Sequence, residues 1–366
     1  MRLAACLLLC FAIAAAQPST TDETFRRGIA AQQRRDFTEA VKDYRLVLEK
    51  RPDLTEARIR LAAALTEMGR VNDAISVLTP ASGKPGVRKN LAIAYYRKND
   101  LAGAIREFEA LDATERADAQ TARVLADCYL RAGIPAKALR LIEPLAKSHP
   151  TDAALQYQLG VARIRTGVPG EALDPLERAG KQGRMADAYL LAGATALELG
   201  QMQRAREDLE KAVGIDPKIP GAWTWTGMAR DRVSDEEGAK QAYRAALQLE
   251  PRDFEANLHL GAILYRQRNM EAAKPFLDHA LSIQPKSSLA LYAMALVRAA
   301  MNDIDQALQE LEMVTASEPE WLEPHVKLAS LYFRLHREIE GRREQELVDK
   351  LRNEHRDKKV PLPEIH

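Results

Sequence analysis

A small residue returns at two fixed places of a period close to 34 residues, and this register constrains the chain more than any other feature. Nine segments begin at Thr21, Thr55, Pro85, Ala119, Ala153, Ala186, Pro220, Phe254 and Ser288, with steps of 34, 30, 34, 34, 33, 34, 34 and 34 residues. Their eighth place holds Gly28, Ala62, Ala92, Ala126, Gly160, Gly193, Gly227, Gly261 and Ala295. Their twentieth holds Ala40, Ala74, Ala104, Ala138, Ala172, Ala205, Ala239, Ala273 and Ala307. Eighteen choices of Gly or Ala in register are more than an alanine-rich composition produces by itself. A period of this length means stacked supersecondary units, each packing on its neighbours, rather than a globule around a catalytic cleft.

Each unit reads as two helices. In the segment from Gly221 to Pro251, Trp223, Gly227 and Arg230 share one helical face. A polar break follows near Ser234, then Ala239, Tyr243 and Ala246 repeat the helical spacing. Two helices cross closely only where side chains are nearly absent, which accounts for places eight and twenty. Place twenty-four fills the space beside the crossing with Tyr44, Leu78, Phe108, Ile142, Leu176, Leu209, Tyr243, Leu277 and Leu311. Proline at place thirty-two (Pro52, Pro150, Pro217, Pro251, Pro285, Pro319) closes units, because it cannot continue a helix. Gly133 and Gly167 suit the ends of first helices, and Pro135 and Pro169 the starts of second ones. Pro144, Pro175 and Pro275 fall inside second helices and should kink them or shift their starts. The second unit is four residues short, so its second helix should be clipped.

These residues resemble the tetratricopeptide repeat family, from about Thr21 to His336. The resemblance implies an all-α fold, a right-handed α-solenoid superhelix of about nine and a half helix-turn-helix units. The family's Trp at place four appears only as Trp223, and its place-eleven Tyr only as Tyr95, Tyr129 and Tyr332. A tenth unit begins at Leu322, with Gly341 where a place-twenty Ala would stand. The expected organisation is therefore a repeat array over residues 17–336, a charged capping helix over 337–357 and a flexible tail over 358–366. A polar final helix covers the open end of a solenoid.

Residues 1–16 read as a secretory signal: Arg2, an apolar run too short to span a bilayer comfortably, then Ala14-Ala15-Ala16 as a small-residue cleavage pattern. Cys6 and Cys10 both lack a proper lipoprotein-processing context, so a lipid anchor is disfavoured. The expected location is periplasmic or secreted, with no stable membrane span after cleavage. Cleavage leaves one cysteine, Cys128, which excludes an internal disulfide and suits a small buried residue. It also removes Arg2 from 53 basic residues, leaving 52 against 52 acidic ones. That balance argues against a nucleic-acid partner, which needs a basic excess or stripe.

No Gly-rich phosphate loop, zinc-protease signature or paired Cys motif occurs, so the sequence reads as a non-enzyme with no cofactor and no metal. His325 and His336, eleven residues apart, fit solvated or capping histidines. In the resembled family the first helix of each pair lines an inner groove, and places two, five, nine, twelve and thirteen would point there. Place thirteen carries Arg97, Arg131, Arg165, Arg232, Arg266 and Arg334; place twelve adds Tyr96 and Tyr265, and place five Tyr157 and Tyr292. Such a ladder could grip an extended acidic peptide or an anionic glycan, since guanidinium forks pair carboxylates and aromatic rings supply flat apolar contact. The competing reading is electrostatic: a cation in the last helical turn interacts favourably with the helix C-terminus, worth about 0.3–1 kcal/mol. The Lys–Asn clamp by which some family members hold chaperone C-termini is not matched, because Lys89 is followed four residues later by Ile93 and Arg123 by Asp127. The expected function is a protein-binding scaffold of the cell envelope or extracellular space, taking an extended ligand in the groove. The alternative is a glycan-handling module linked to envelope polysaccharide assembly, resting on family analogy.

Overall fold

The computed structural model of the protein describes residues 20–84 and 86–358. The secretory segment read at 1–16, and all of the tail but Lys358, lie outside the described residues. The described residues are helical, with no strand among them. The chain divides into two compact units, Met1–His149 and Pro150–His366.

The first unit pairs α1 (Thr20–Gln33) with α2 (Phe37–Lys50), α3 (Thr55–Glu67) with α4 (Val71–Leu78), α5 (Val87–Arg97) with α6 (Leu101–Glu109), and α8 (Ala119–Arg131) with α9 (Pro135–Ser148). A short α7 (Ala113–Ala117) stands between α6 and α8. The second unit pairs α10 (Ala153–Arg165) with α11 (Leu173–Gly183), α12 (Ala186–Glu198) with α13 (Met202–Ile215), and α14 (Ala222–Arg232) with α15 (Glu236–Leu249). It continues with α16 (Phe254–Arg266) on α17 (Met270–Ile283), α18 (Ser288–Ala300) on α19 (Ile304–Ser317), and α20 (Leu322–Arg334) on α21 (Glu338–Lys358).

α4 has 8 residues and runs into a 3-10 turn at Thr79–Ala81, where α2 has 14. α6 is also short, at 9 residues, a shortening the repeat spacing did not flag. Pro175 falls in the first turn of α11, whose start is displaced behind a 3-10 turn at Pro169–Glu171. Pro144 and Pro275 instead sit within continuous helices.

Helix starts are fixed locally. Asp36, Asp100, Asp235 and Asn269 each accept a backbone N–H from the residue three positions on, at the starts of second helices. Asp118, Asp253 and Ser287 do the same for first helices. Each side chain satisfies a donor that has no partner inside the helix. Between paired helices the chain turns through a left-handed residue at place fifteen. Gly69, Gly133, Gly167 and Gly200 occupy it with φ of 73–82°, and Asn99 and Asn302 with 65° and 69°. Arg35, Ser234, Arg268 and His336 adopt the same region despite their β-carbons. The turn is therefore demanded by the packing of the pair, since an L-residue costs roughly 1–2 kcal/mol there.

The core of each pair is the crossing of places eight and twenty-four. A β-carbon added to Gly160 would lie 2.5 Å from Leu176 Cγ, and one on Gly227 2.6 Å from Tyr243 Cε1. At Gly193 it would meet Leu209 Cγ at 2.5 Å and the Ala205 carbonyl oxygen at 3.1 Å. The large side chain of one helix thus sits directly on the bare backbone of its partner. Cys128 is buried in α8 and its thiol is pushed up to about 12 by burial, as befits a core residue.

Three carboxylates are buried at place twenty-three of second helices, a feature the apolar pattern conceals. Asp43 and Asp208 are 1% exposed and Glu310 5%. Asp43 is held by Arg27 and Asp208 by Lys211 at 3.0 Å. Glu310 Oε1 pairs with Arg298 Nη1 at 2.9 Å, and its other oxygen has no partner among the described residues. His325 is buried as well, 4% exposed, with Nδ1 2.6 Å from Glu344 Oε2. It is a packed link between α20 and α21 rather than a solvated or capping histidine.

Gly193→Val should destabilise the second unit by about 2 kcal/mol, the cost of overpacking a close crossing less a small gain in helix propensity. Denaturant unfolding of wild type and variant measures it. Burial pushes the Glu310 carboxyl from 4.5 to about 7, against the pull of Arg298. The folded chain then holds this proton through a range in which the unfolded chain has lost it. The associated stability is fully present below pH 4.5 and is lost as pH rises through 7, by on the order of 3 kcal/mol. Glu310→Gln should flatten that part of the stability–pH curve relative to wild type.

Candidate functional site

The ten residues expected to line the groove have different surroundings within their compact units. Arg131 donates to the Asn99 side chain, and Arg334 Nη2 donates to Asn302 Oδ1 at 2.7 Å. Both acceptors are the left-handed turn residues one period earlier. These arginines staple a first helix to the preceding interhelix turn, and each also stands in the last turn of its own helix. Arg97 and Arg232 follow periods whose turn residue is glycine, Gly69 and Gly200, with no side chain to bond. Both are exposed and form no side-chain bond among the described residues. For these four arginines, asparagine or glycine at the preceding place fifteen is the signal in the sequence that tells them apart.

In the first unit, Tyr96 donates to Asp127 Oδ2 at 2.8 Å, and Arg131 lies over its ring at 5.6 Å. In the second unit, Tyr157 packs on a core cluster of Ala172, Leu176 and Ala192. Burial raises the Tyr157 hydroxyl, while nearby Arg165 lowers it.

Four expected residues do converge. Arg232, Arg266, Tyr265 and Tyr292 line a groove of about 650 Å³ in the second unit, built from α14, α16, α18 and α20. Its walls come from places two (Leu289, Glu323), five (Leu258, Tyr292), nine (Met228, Ala262, Leu296), twelve (Asp231, Tyr265) and thirteen. Three contributors were missed by sequence reasoning. His259 and Ala293 enter from place six, and Tyr243 reaches in from the second helix α15. Gly227 leaves room for the Tyr243 ring, which stacks on His259 at 5.7 Å with planes 11° apart. The volume and mostly apolar lining with a few polar groups are those of a binding site.

The electrostatics differ along the groove. Arg266 is already engaged, by Asp231 at 2.5 Å and Glu236 at 3.2 Å. Tyr292 tilts against Trp321 at 4.9 Å, and burial with help from Glu323 pushes its hydroxyl up to about 12. Burial raises the Tyr243 hydroxyl too. Both phenols therefore stay neutral donors at physiological pH. Among the described residues the Tyr243 hydroxyl has no partner, and neither does Oε2 of Glu323.

Family models described as tetratricopeptide repeat match residues 31–84, 124–183, 186–219, 234–295 and 264–332. The chain is 26% identical to anaphase-promoting complex subunit 3 of Schizosaccharomyces pombe over 145 residues, 40% of this chain and 22% of that protein. It is 31% identical to the probable biofilm formation methyltransferase WspC of Pseudomonas putida over 104 residues, 28% of this chain and 24% of that one. The chain thus spans under a quarter of the length of these two relatives. The crystal structure of the C-terminal part of a TPR repeat-containing protein from Cytophaga hutchinsonii shares the fold, with a TM-score of 0.53 and 18% identity over 63% of this chain and 95% of that one.

If the turn staples are structural, a double-mutant cycle on Arg334→Ala and Asn302→Ala should give a coupling of about 0.5–1 kcal/mol in unfolding free energy, small because the pair is exposed.

Proposed function

The chain belongs to the tetratricopeptide repeat family, and on that premise we propose that it is a non-catalytic scaffold holding an extended protein or peptide ligand in the groove of its second compact unit. One observation carries the reading: four successive first helices present a continuous apolar and aromatic groove whose buried polar atoms are left unsatisfied by the chain itself. Family repeats are typically scaffolds, and the likeness to a methyltransferase covers only 24% of that protein. The export pattern of residues 1–16 supports a place in the cell envelope or outside the cell. No described helix is long and apolar enough to cross a membrane.

The test is affinity co-purification from native envelope extract, using the full chain beside a Tyr265→Ala/Leu258→Ala variant whose circular dichroism is unchanged. A partner reduced at least tenfold by the variant supports the groove. Equal capture moves recognition to another surface. Retention on an acidic-glycan array, with no protein captured, would make the ligand a polysaccharide.

A further inference from the structure

The groove is polar along its length. At its α14 end the Arg232 guanidinium is exposed and forms no side-chain bond among the described residues. Asp231 beside it is already bound to Arg266. At the α20 end stands Glu323, whose Oε2 is buried and accepts nothing. It stands in the first turn of α20. Between the ends lie Leu258, Leu296, Tyr265 and Tyr292.

Beneath this strip is Tyr243, 0% exposed, with its hydroxyl unpaired. The corresponding Tyr44 in the first pair shows what is missing. Tyr44 also sits over a glycine at place eight, and its hydroxyl donates to Gln32 Oε1, a place-twelve side chain, at 2.7 Å. The place-twelve residue beside Tyr243 is Asp231, whose carboxylate is drawn off by Arg266. Buried polar groups left without a partner are rare because each has given up its bonds to water. Two such atoms lie in this groove.

We propose that the groove reads a peptide segment by its charge polarity: an acidic side chain against Arg232, apolar residues over the centre, and a lysine or arginine against Glu323, with a polar group of the segment on the Tyr243 hydroxyl. This rests on the groove being the ligand site. Three helix-to-helix steps of about 9 Å correspond to about eight extended residues, which sets the separation of the two charges.

The experiment selects a random twelve-residue peptide library on the immobilised full chain and on four variants checked for folding by circular dichroism. Wild type should enrich peptides with an acid and a base roughly eight residues apart, flanking an apolar stretch. Glu323→Gln should weaken the selected peptides about tenfold or more and erase the preference for a base while leaving that for an acid; Arg232→Gln should do the reverse. Tyr243→Phe, which removes only an unpaired hydroxyl, should weaken the same peptides several-fold; unchanged affinity would overturn the role given to that hydroxyl. Peptides lost with Tyr265→Ala yet unchanged in composition by Glu323→Gln and Arg232→Gln would overturn the polarity while leaving the groove as the site. Peptides indifferent to Tyr265→Ala, or no enrichment at all, would overturn the groove itself.

Discussion

Everything in this chain hangs on one contact, the large place-twenty-four side chain of a second helix lying on the bare backbone of its first helix. Leu176 on Gly160, Leu209 on Gly193 and Tyr243 on Gly227 leave no space for a β-carbon. That approach brings paired helices close enough for both to bury an apolar stripe, and stacking pairs within each compact unit buries more. It also sets the left-handed turn at place fifteen. Arg268 and Ser234 accept an unfavourable backbone conformation there because the crossing fixes where the second helix must begin.

The groove is a by-product of the same contact. When place twenty-four is leucine, the side chain ends within the crossing. When it is Tyr243, the ring reaches past Gly227 to stack on His259 and brings a hydroxyl under the groove. A residue that belongs to the packing of its own pair thereby becomes part of a surface formed by its neighbours. Neutral phenols and a bare carboxylate oxygen then sit against apolar walls, where each hydrogen bond to a ligand is stronger than in water.

The arginines show how one repeated residue can have several roles. Arg131 and Arg334 are occupied by asparagine side chains of preceding turns, and Arg266 by Asp231 and Glu236. Arg232 follows a glycine turn and keeps its guanidinium exposed. Their common place along the helix fixes the direction of the side chain, but what each one meets depends on the residue one period earlier. A ladder in the sequence is accordingly not a ladder of equivalent contacts.

The sequence by itself determined the helix pairs, their crossings and most of their turns, because these depend on residues within one period and the small–large alternation repeats in register. The resemblance to the repeat family also pointed to the helix faces that line the groove, at places two, five, nine, twelve and thirteen. The tertiary structure alone decided which candidates meet. It gathered Arg232, Arg266, Tyr265 and Tyr292 in one groove while leaving Tyr157 on a core cluster and Arg334 on its turn. It also revealed buried Glu310 and His325 and the unpaired Tyr243 hydroxyl. Periodicity fixes the direction of a side chain relative to its own helix. Its burial and its partners are set by neighbouring helices a whole period away, and no single repeat contains them.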